Sequence, residues 1–165
     1  MQIFTYSLFF KLLYRFGNIP VTLVLLFYLF PAVLNVDRNN WYLIPVVLLL
    51  FLIYYTNKRY LYLYKVIPYK ITADSEKLYC TDFLFSKKEV VIFYPDIESL
   101  KGGIFDGKLN GLMQVYDGRN KISIGFYPKI RGAKELQTII LSRVKKPVYD
   151  EVIERITSKN KRGSK

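Results

Sequence analysis

Two long apolar runs dominate the hydrophobic pattern near the start of the chain. Residues 16–36 and residues 39–57 contain no charged side chain, and only a short polar segment, residues 37–40, separates them. About 20 residues of helix, at about 1.5 Å per residue, match a hydrocarbon core of roughly 30 Å. We therefore expect residues 16–57 to form a transmembrane helical hairpin.

The segment before the hairpin, residues 1–15, is apolar and aromatic. Its basic residues, Lys11 and Arg15, are one helical turn apart and would share one face of a helix. This pattern predicts an interfacial amphipathic helix that ends at Gly17 and Asn18. A secretory signal peptide is the alternative, and it is disfavoured because no basic segment precedes the apolar part.

Beyond residue 68 the pattern changes to short β segments separated by turn residues. Asp117-Gly118 is the strongest hairpin signal among them. The connections are too short for crossover helices, so we expect antiparallel pairing. Six segments are predicted strands: 69–72, 77–83, 89–94, 97–100, 110–116 and 121–126. Residues 59–69 alternate tyrosines with other residues, which fits either a seventh strand or a continuation of the second membrane helix.

Two helices follow the strands. Residues 132–144 place apolar side chains at helical spacing, and a second helix begins at Pro147, with Asp150 and Glu151 in its first turn. We expect a cytoplasmic soluble domain over residues 58–146. Residues 147–165 would add a further helix and a basic tail.

The net charge of +12 is unevenly distributed. Residues 1–55 carry Lys11, Arg15 and Arg38 against Asp37, so most of the surplus belongs to residues 56–165. In a chain held at a bilayer, the anionic membrane surface is a simpler partner than nucleic acid, for which no signature is present. The basic residues expected to contact anionic lipid flank the hairpin and form the tail: Lys58, Arg59, Lys159, Lys161 and Arg162.

Charge also predicts orientation. Lys11, Arg15, Lys58 and Arg59 flank the hairpin, whereas its loop has only Arg38. The positive-inside rule then places both termini in the cytoplasm of a multi-pass protein of the cell (inner) membrane. Neither span holds an ionisable group of the kind that transport requires.

Little in the composition indicates catalysis. The chain has no histidine, which excludes Ser-His-Asp chemistry and most zinc and haem sites, and the single Cys80 is expected in a strand core. Glycines 102, 103, 107 and 111 are expected in tight turns rather than in a phosphate loop. The paired carboxylates Asp74/Glu76 and Asp96/Glu98 are expected at solvated strand ends, with no metal and no cofactor.

A diffuse resemblance covers about residues 65–145. Residues 69–72 (YKIT), 76–78 (EKL), 96–100 (DIESL) with the glycines that follow, and 136–140 (LQTII) resemble the bacterial membrane-anchored proteins that have a PH-like domain. The resemblance implies a bent antiparallel sheet of about seven strands, capped by a C-terminal helix. Phosphoinositide binding is not carried over, because its nearest basic counterparts, residues 70, 77, 87 and 88, form no compact motif.

These observations predict a non-enzymatic, membrane-anchored binding or scaffold protein. Its partner would be a membrane protein, a second copy of the chain or the anionic membrane surface, with no nucleic acid and no small-molecule substrate. An accessory subunit of a larger respiratory or photosynthetic complex is the alternative. An enzyme acting on lipids ranks last, since no spacing pairs a nucleophile with a base.

Overall fold

The chain begins with a strand where the sequence predicts a helix. In the computed structural model, which describes residues 1–163 and only the backbone of residues 160–163, strand β1 spans Gln2–Thr5 and helix α1 spans Leu8–Phe16. Phe4 and Tyr6 are buried, whereas Ile3 is 61% exposed. This alternation is the period of a strand with one buried face. The predicted interfacial helix over residues 1–15 is therefore wrong for its first seven residues.

Sheet 1 contains four antiparallel strands. Strand β1 pairs with β2 (Pro68–Ala73), which pairs with β3 (Lys77–Phe83), which pairs with β4 (Val90–Phe93). Strands β1 and β2 pair although they are far apart in the sequence. Gln2 lies opposite Ala73, and Thr5 lies opposite Lys70. The first strand of the sheet is thus separated from its partner by the whole helical region.

Sheet 2 contains three antiparallel strands, β5 (Ile97–Lys101), β6 (Met113–Asp117) and β7 (Ile122–Phe126), in that order. The hairpin predicted at Asp117-Gly118 is confirmed, since it joins β6 to β7. The residues that the structure describes form seven antiparallel strands in two sheets, where the prediction had one bent sheet. The seventh is β1, because residues 59–66 continue a helix.

Helices α4 (Ala133–Arg143) and α5 (Lys146–Gly163) follow sheet 2. Helix α4 buries Leu136 and Ile140 and contacts the 3-10 turn Tyr94–Asp96. Helix α5 buries Val148 and Val152, and it packs on β5 and on the 3-10 turn Gly103–Asp106. The helix that begins near Pro147 is therefore part of the folded domain.

The Arg155 guanidinium fixes α5 to that turn. It donates to the Asp106 carboxylate at 2.7 Å and to the Leu100 carbonyl, and it lies 3.8 Å from Glu151. Asp106 also accepts from the Gly102 backbone N–H at 2.8 Å. Gly102 has φ of +76°, and a Cβ there would lie 2.1 Å from the Leu112 carbonyl oxygen, so only glycine fits this turn. The glycines near residue 102 form tight turns, as predicted.

The chain divides into two compact units. Unit 1 comprises residues 1–10 and the chain from residue 66 onward, and unit 2 comprises residues 11–65. The expected soluble domain, residues 58–146, thus omits the first strand and α5, and it includes residues 58–65, which belong to the helical unit. Unit 2 is inserted between two neighbouring strands of unit 1.

Unit 2 is built from two principal helices, α2 (Asn18–Leu34) and α3 (Leu43–Val66). Residues 40–66 are long and apolar enough to cross a membrane, with mean hydropathy 1.4, and α1 and α2 pass the same test together although they meet at 45°. That bend lies at Gly17, where the sequence predicts a break. In the most apolar stretch of residues 40–66, no residue is buried within the chain.

Polar side chains join α2 to α3. Asn57 donates to the Thr22 hydroxyl and accepts from the Asn18 amide, each at 2.9 Å. The Tyr64 hydroxyl donates to Asn18 Oδ1 at 2.8 Å. Because these residues are 35 to 46 positions apart, the hydrogen bonds make α2 and α3 a paired antiparallel hairpin.

The two ends of sheet 1 have different roles in the chain's path. The end that we call the exit end holds Thr5, Pro68 and Phe83, where the chain leaves for unit 2 and returns from it. The opposite end, which we call the far end, holds the β2–β3 turn at residues 74–76 and the last residue of β4, Phe93. A cleft of unit 1 opens at the far end.

Candidate binding cleft at the far end

The far-end cleft is an open depression of about 620 Å³. It collects side chains from four separate parts of the sequence: the β2–β3 turn, the β4–β5 connection, the β6–β7 hairpin and the end of α4. The lining residues are Ser75, Glu76, Phe93, Tyr94, Pro95, Asp96, Arg119 and Arg143. No single stretch of the sequence contains it, which is why sequence reasoning missed it.

Tyr94 forms the floor of the cleft. Its side chain is 2% exposed, and its hydroxyl donates to the Asp74 carbonyl at 3.1 Å. Burial raises the pKa of the Tyr94 phenol, and the neighbouring Arg143 partly offsets that increase. The phenol therefore stays protonated at neutral pH and acts as a fixed hydrogen-bond donor.

Arg143 extends from the last turn of α4 over that floor. Its guanidinium carbon lies 5.3 Å from the centre of the Tyr94 ring, and one nitrogen donates to the Asp74 carbonyl. The same nitrogen lies 3.4 Å from the Tyr94 hydroxyl. A guanidinium has five N–H donors in a planar fork, so donors remain for a ligand.

Arg119 and Asp96 form the opposite wall. Arg119 Nη1 lies 3.6 Å from Asp96 Oδ2, and the Arg119 side chain is 74% exposed. The Gly118 backbone N–H donates to the Asp96 carbonyl at 3.1 Å, which holds the hairpin against the β4–β5 connection. An exposed ion pair of this kind contributes little to stability, so both groups can be redirected toward a ligand at low cost.

The charges of the cleft are balanced. Arg119 and Arg143 face Glu76 and Asp96, and Phe93, which is 39% exposed, adds an apolar contact. A cleft for phosphate alone would show an excess of positive charge. The mixture of both signs with an aromatic edge suits a polypeptide segment.

The predicted acidic pairs lie in or beside this cleft. Asp74 and Glu76 belong to the β2–β3 turn, Asp96 ends the 3-10 turn before β5 and Glu98 is the second residue of β5, so both pairs lie at strand ends as expected. In the part of the chain that the structure describes, no three His, Cys, Asp or Glu side chains are grouped as metal ligands. Cys80 is buried in β3, where burial raises the pKa of its thiol.

The residues predicted to contact lipid lie elsewhere. Lys58 and Arg59 are exposed near the end of α3, with the Lys58 ammonium 5.4 Å from the centre of the Tyr54 ring. Lys159 is exposed on α5 and donates to the Asp106 carbonyl at 3.3 Å. The side chains of Lys161 and Arg162 lie outside the residues whose side chains the structure describes. Lys58, Arg59 and Lys159 are not among the residues that line the far-end cleft.

Comparison of the chain with protein-family models, with curated proteins and with solved structures finds no match.

Proposed function

We propose that this protein is a non-enzymatic, membrane-anchored binding or scaffold protein. Unit 2 would anchor it as a transmembrane hairpin, and the far-end cleft of unit 1 would bind a segment of a protein partner. With the positive-inside rule, unit 1 and both termini would be in the cytoplasm of the cell that makes it.

One observation supports the hairpin most strongly, and it is independent of hydropathy. The chain leaves sheet 1 after Thr5 and re-enters it at Pro68, in strands that are hydrogen-bonded neighbours. Both ends of residues 11–65 therefore start from the same end of one sheet. If α3 crosses a bilayer, the remainder of that segment must cross back for β1 to reach β2.

The surface of unit 2 supports the same proposal. Apolar side chains around α2 and α3 are exposed, including Phe27 at 77% and Phe30 at 69%. Contiguous apolar surface on this scale is a liability in water and ordinary in lipid. The polar bonds between Asn18, Thr22 and Asn57 supply the kind of interhelical contact that pairs helices in a bilayer.

The PH-like resemblance remains part of the proposal. Its support is limited to six antiparallel strands and a following helix within residues 65–145; β1 lies outside that range, and the strands form two sheets rather than one. Folds of that type serve binding and scaffolding rather than one chemistry, so the function is argued from the cleft.

Site-specific photo-crosslinking of the full chain in its membrane tests the proposal. A crosslinking residue at Phe93, in the cleft, should give one defined adduct, and R119E/R143E in the same chain should reduce its yield at least tenfold. The control position is Gln114, which lies on sheet 2 away from the cleft lining. Equal adduct patterns at both positions, or none at Phe93, would contradict a binding role for the cleft.

A second candidate is an accessory subunit of a larger membrane complex. It is favoured by a shallow apolar groove on α3, lined by Leu43, Ile44, Val47, Leu48 and Phe51. A lateral protein neighbour would fill such a groove. Comigration with a large assembly in mild detergent, lost in the V47W/L48W variant, would favour this candidate; migration of the chain alone would exclude it.

A further inference from the structure

Two loop tips of unit 1 carry exposed apolar side chains. Phe85, in the β3–β4 turn, is 85% exposed, and Leu109, in the loop before β6, is 92% exposed. Phe85 has φ of +56°, a backbone conformation that bulky residues rarely adopt. The turn thus presents this ring outward at a conformational cost.

Both tips lie at the exit end. Phe83, which begins the β3–β4 turn, is opposite Pro68, and a bridge between Phe83 and Ser86 closes that turn. The second loop reaches the same end through Leu112: a Cβ added at Gly125 would lie 3.0 Å from Leu112 Cδ1 and 3.1 Å from Val66 Cγ1. Val66 is the last residue of α3, and Leu109 is three positions from Leu112.

Charge separates the two ends of unit 1. Exposed basic residues outnumber acidic ones at the exit end, whereas the far end holds near-equal numbers. The exit-end cations are Lys70, Lys87, Lys88, Lys108, Lys129, Arg131 and Lys134, against the exposed acids Asp82, Glu89 and Glu135. The far-end acids are Asp74, Glu76, Asp96 and Glu98, against Lys77, Arg119, Lys121 and Arg143. The positive surplus therefore lies beside the two apolar tips.

We propose that the exit end is a docking surface for an anionic lipid bilayer. Phe85 and Leu109 enter the headgroup layer, and the surrounding lysines contact lipid phosphates. Aromatic and aliphatic tips among basic residues match the two components of interfacial binding. The inference rests on the proposed membrane anchor and extends it from the helices to unit 1.

Chain connectivity favours lipid over a soluble partner as the occupant. Only Ile67 separates the end of α3 from the start of β2. One residue spans at most about 3.6 Å, so the exit end cannot move far from the point at which α3 ends. Unit 1 is thereby tethered at the end that carries the tips and the lysines.

A tryptophan reporter in the full chain tests this surface. The chain has a single tryptophan, Trp41, so the W41F variant has no tryptophan fluorescence of its own. In nanodiscs that contain anionic lipid, the tryptophan of F85W in that background should emit at a shorter wavelength than the tryptophan of F93W. A lipid with a nitroxide on its headgroup should quench it at least threefold more than it quenches F93W, the matched reporter at the far end. Purely zwitterionic nanodiscs should reduce the difference.

The outcomes separate the docking surface from the anchor. Failure of the wild-type chain to enter nanodiscs, with Trp41 unquenched, would overturn the proposed function itself. Stable incorporation with equal quenching of F85W and F93W would overturn only the docking surface. Blue-shifted F85W emission without nitroxide quenching would show that protein, such as a second copy of the chain, covers the tip, and it would overturn the lipid assignment.

Discussion

Phe4 in unit 1 and Phe27 in unit 2 are the same residue type in opposite surroundings. Phe4 is 2% exposed within the domain, and Phe27 is 77% exposed on α2. Unit 1 buries its apolar side chains against one another, whereas unit 2 presents them outward and places polar groups between its helices. If unit 2 lies in a bilayer as proposed, the two units fold in different solvents, and substitutions can test that difference.

The largest effect is expected in the buried strand of unit 1. Phe4→Ala should lower the free energy of unfolding of unit 1 by about 3–5 kcal/mol, because it leaves a cavity where the ring packs. Ile3→Ala, at the 61% exposed neighbouring position, is the matched control and should cost under about 1 kcal/mol. Urea titration followed by pulse proteolysis measures both. Equal costs would mean that residues 2–5 do not form the strand.

A charge on α2 tests the surroundings of unit 2. Phe27→Arg, near the middle of α2, should disfavour membrane insertion by about 2.5–3.5 kcal/mol, and Phe27→Leu should insert like the wild type. Insertion is measured by glycosylation-site mapping of the loop at residues 37–40. Efficient insertion of the arginine variant would place unit 2 in water or in protein rather than lipid.

A partly buried ion pair should matter less than either apolar change. Arg155→Ala removes bonds to Asp106 and to the Leu100 carbonyl, and we expect a loss of about 1.5–3 kcal/mol of unit 1 stability. Glu151→Ala removes only a 3.8 Å contact from a 53% exposed carboxylate and should cost under about 0.5 kcal/mol. Urea unfolding of the two variants distinguishes them; equal losses would contradict the role of Arg155 in fixing α5.

Polar contacts within unit 2 are expected to have a smaller effect still. Asn57→Leu and Thr22→Val, singly and together, form a double-mutant cycle across the 2.9 Å hydrogen bond. The coupling energy should be about 0.6 kcal/mol, the average for such contacts in membrane helices. Steric trapping in bicelles measures it, and zero coupling would contradict the pairing of α2 with α3.

The smallest predicted effect concerns the Cys80 thiol. Because burial raises its pKa, the folded state keeps the thiol proton at a pH where the unfolded chain loses it. The stability that the buried thiol contributes is then fully present below pH 9.0, the ordinary pKa of the group, and it is lost as the pH rises above that value. At pH 9 the free energy of unfolding is lower than at pH 7 by about 0.4 kcal/mol, because half of the unfolded thiols are then ionised. Cys80→Ala should abolish this part of the pH dependence, and an unchanged profile would contradict it.

Local patterns predicted much of the fold. The strand at Lys77–Phe83, the hairpin at Asp117-Gly118 and the helices near residues 133 and 147 are determined by residues close together in the sequence, and all were found. Strand β1 was missed because its partner is about 70 positions away and its apolar sequence also fits an interfacial helix. The available signal in the sequence was the alternation of aromatic and hydroxyl side chains in Phe4-Thr5-Tyr6-Ser7.

The site was less predictable than the fold. Arg119 and Arg143 are single basic residues in unrelated segments, and only the packing of α4 and the β6–β7 hairpin brings them to one cleft. Asp96 was noticed as half of an acidic pair, but its contact with Arg119 depends on a turn more than 20 residues further along. Contacts between residues so far apart in the sequence produce no local periodic pattern from which the cleft could be predicted.

The pairing of β1 with β2 has a consequence for biosynthesis. β1 leaves the ribosome before β2, and about 65 further residues must be made before its partner exists. During that interval it is an unpaired edge that a chaperone or another chain can engage. A hairpin that inserted only once would leave β1 and β2 on opposite sides of the membrane, so unit 1 could not close. If unit 2 is the transmembrane hairpin that we propose, completion of this sheet would report that the chain has crossed the membrane twice.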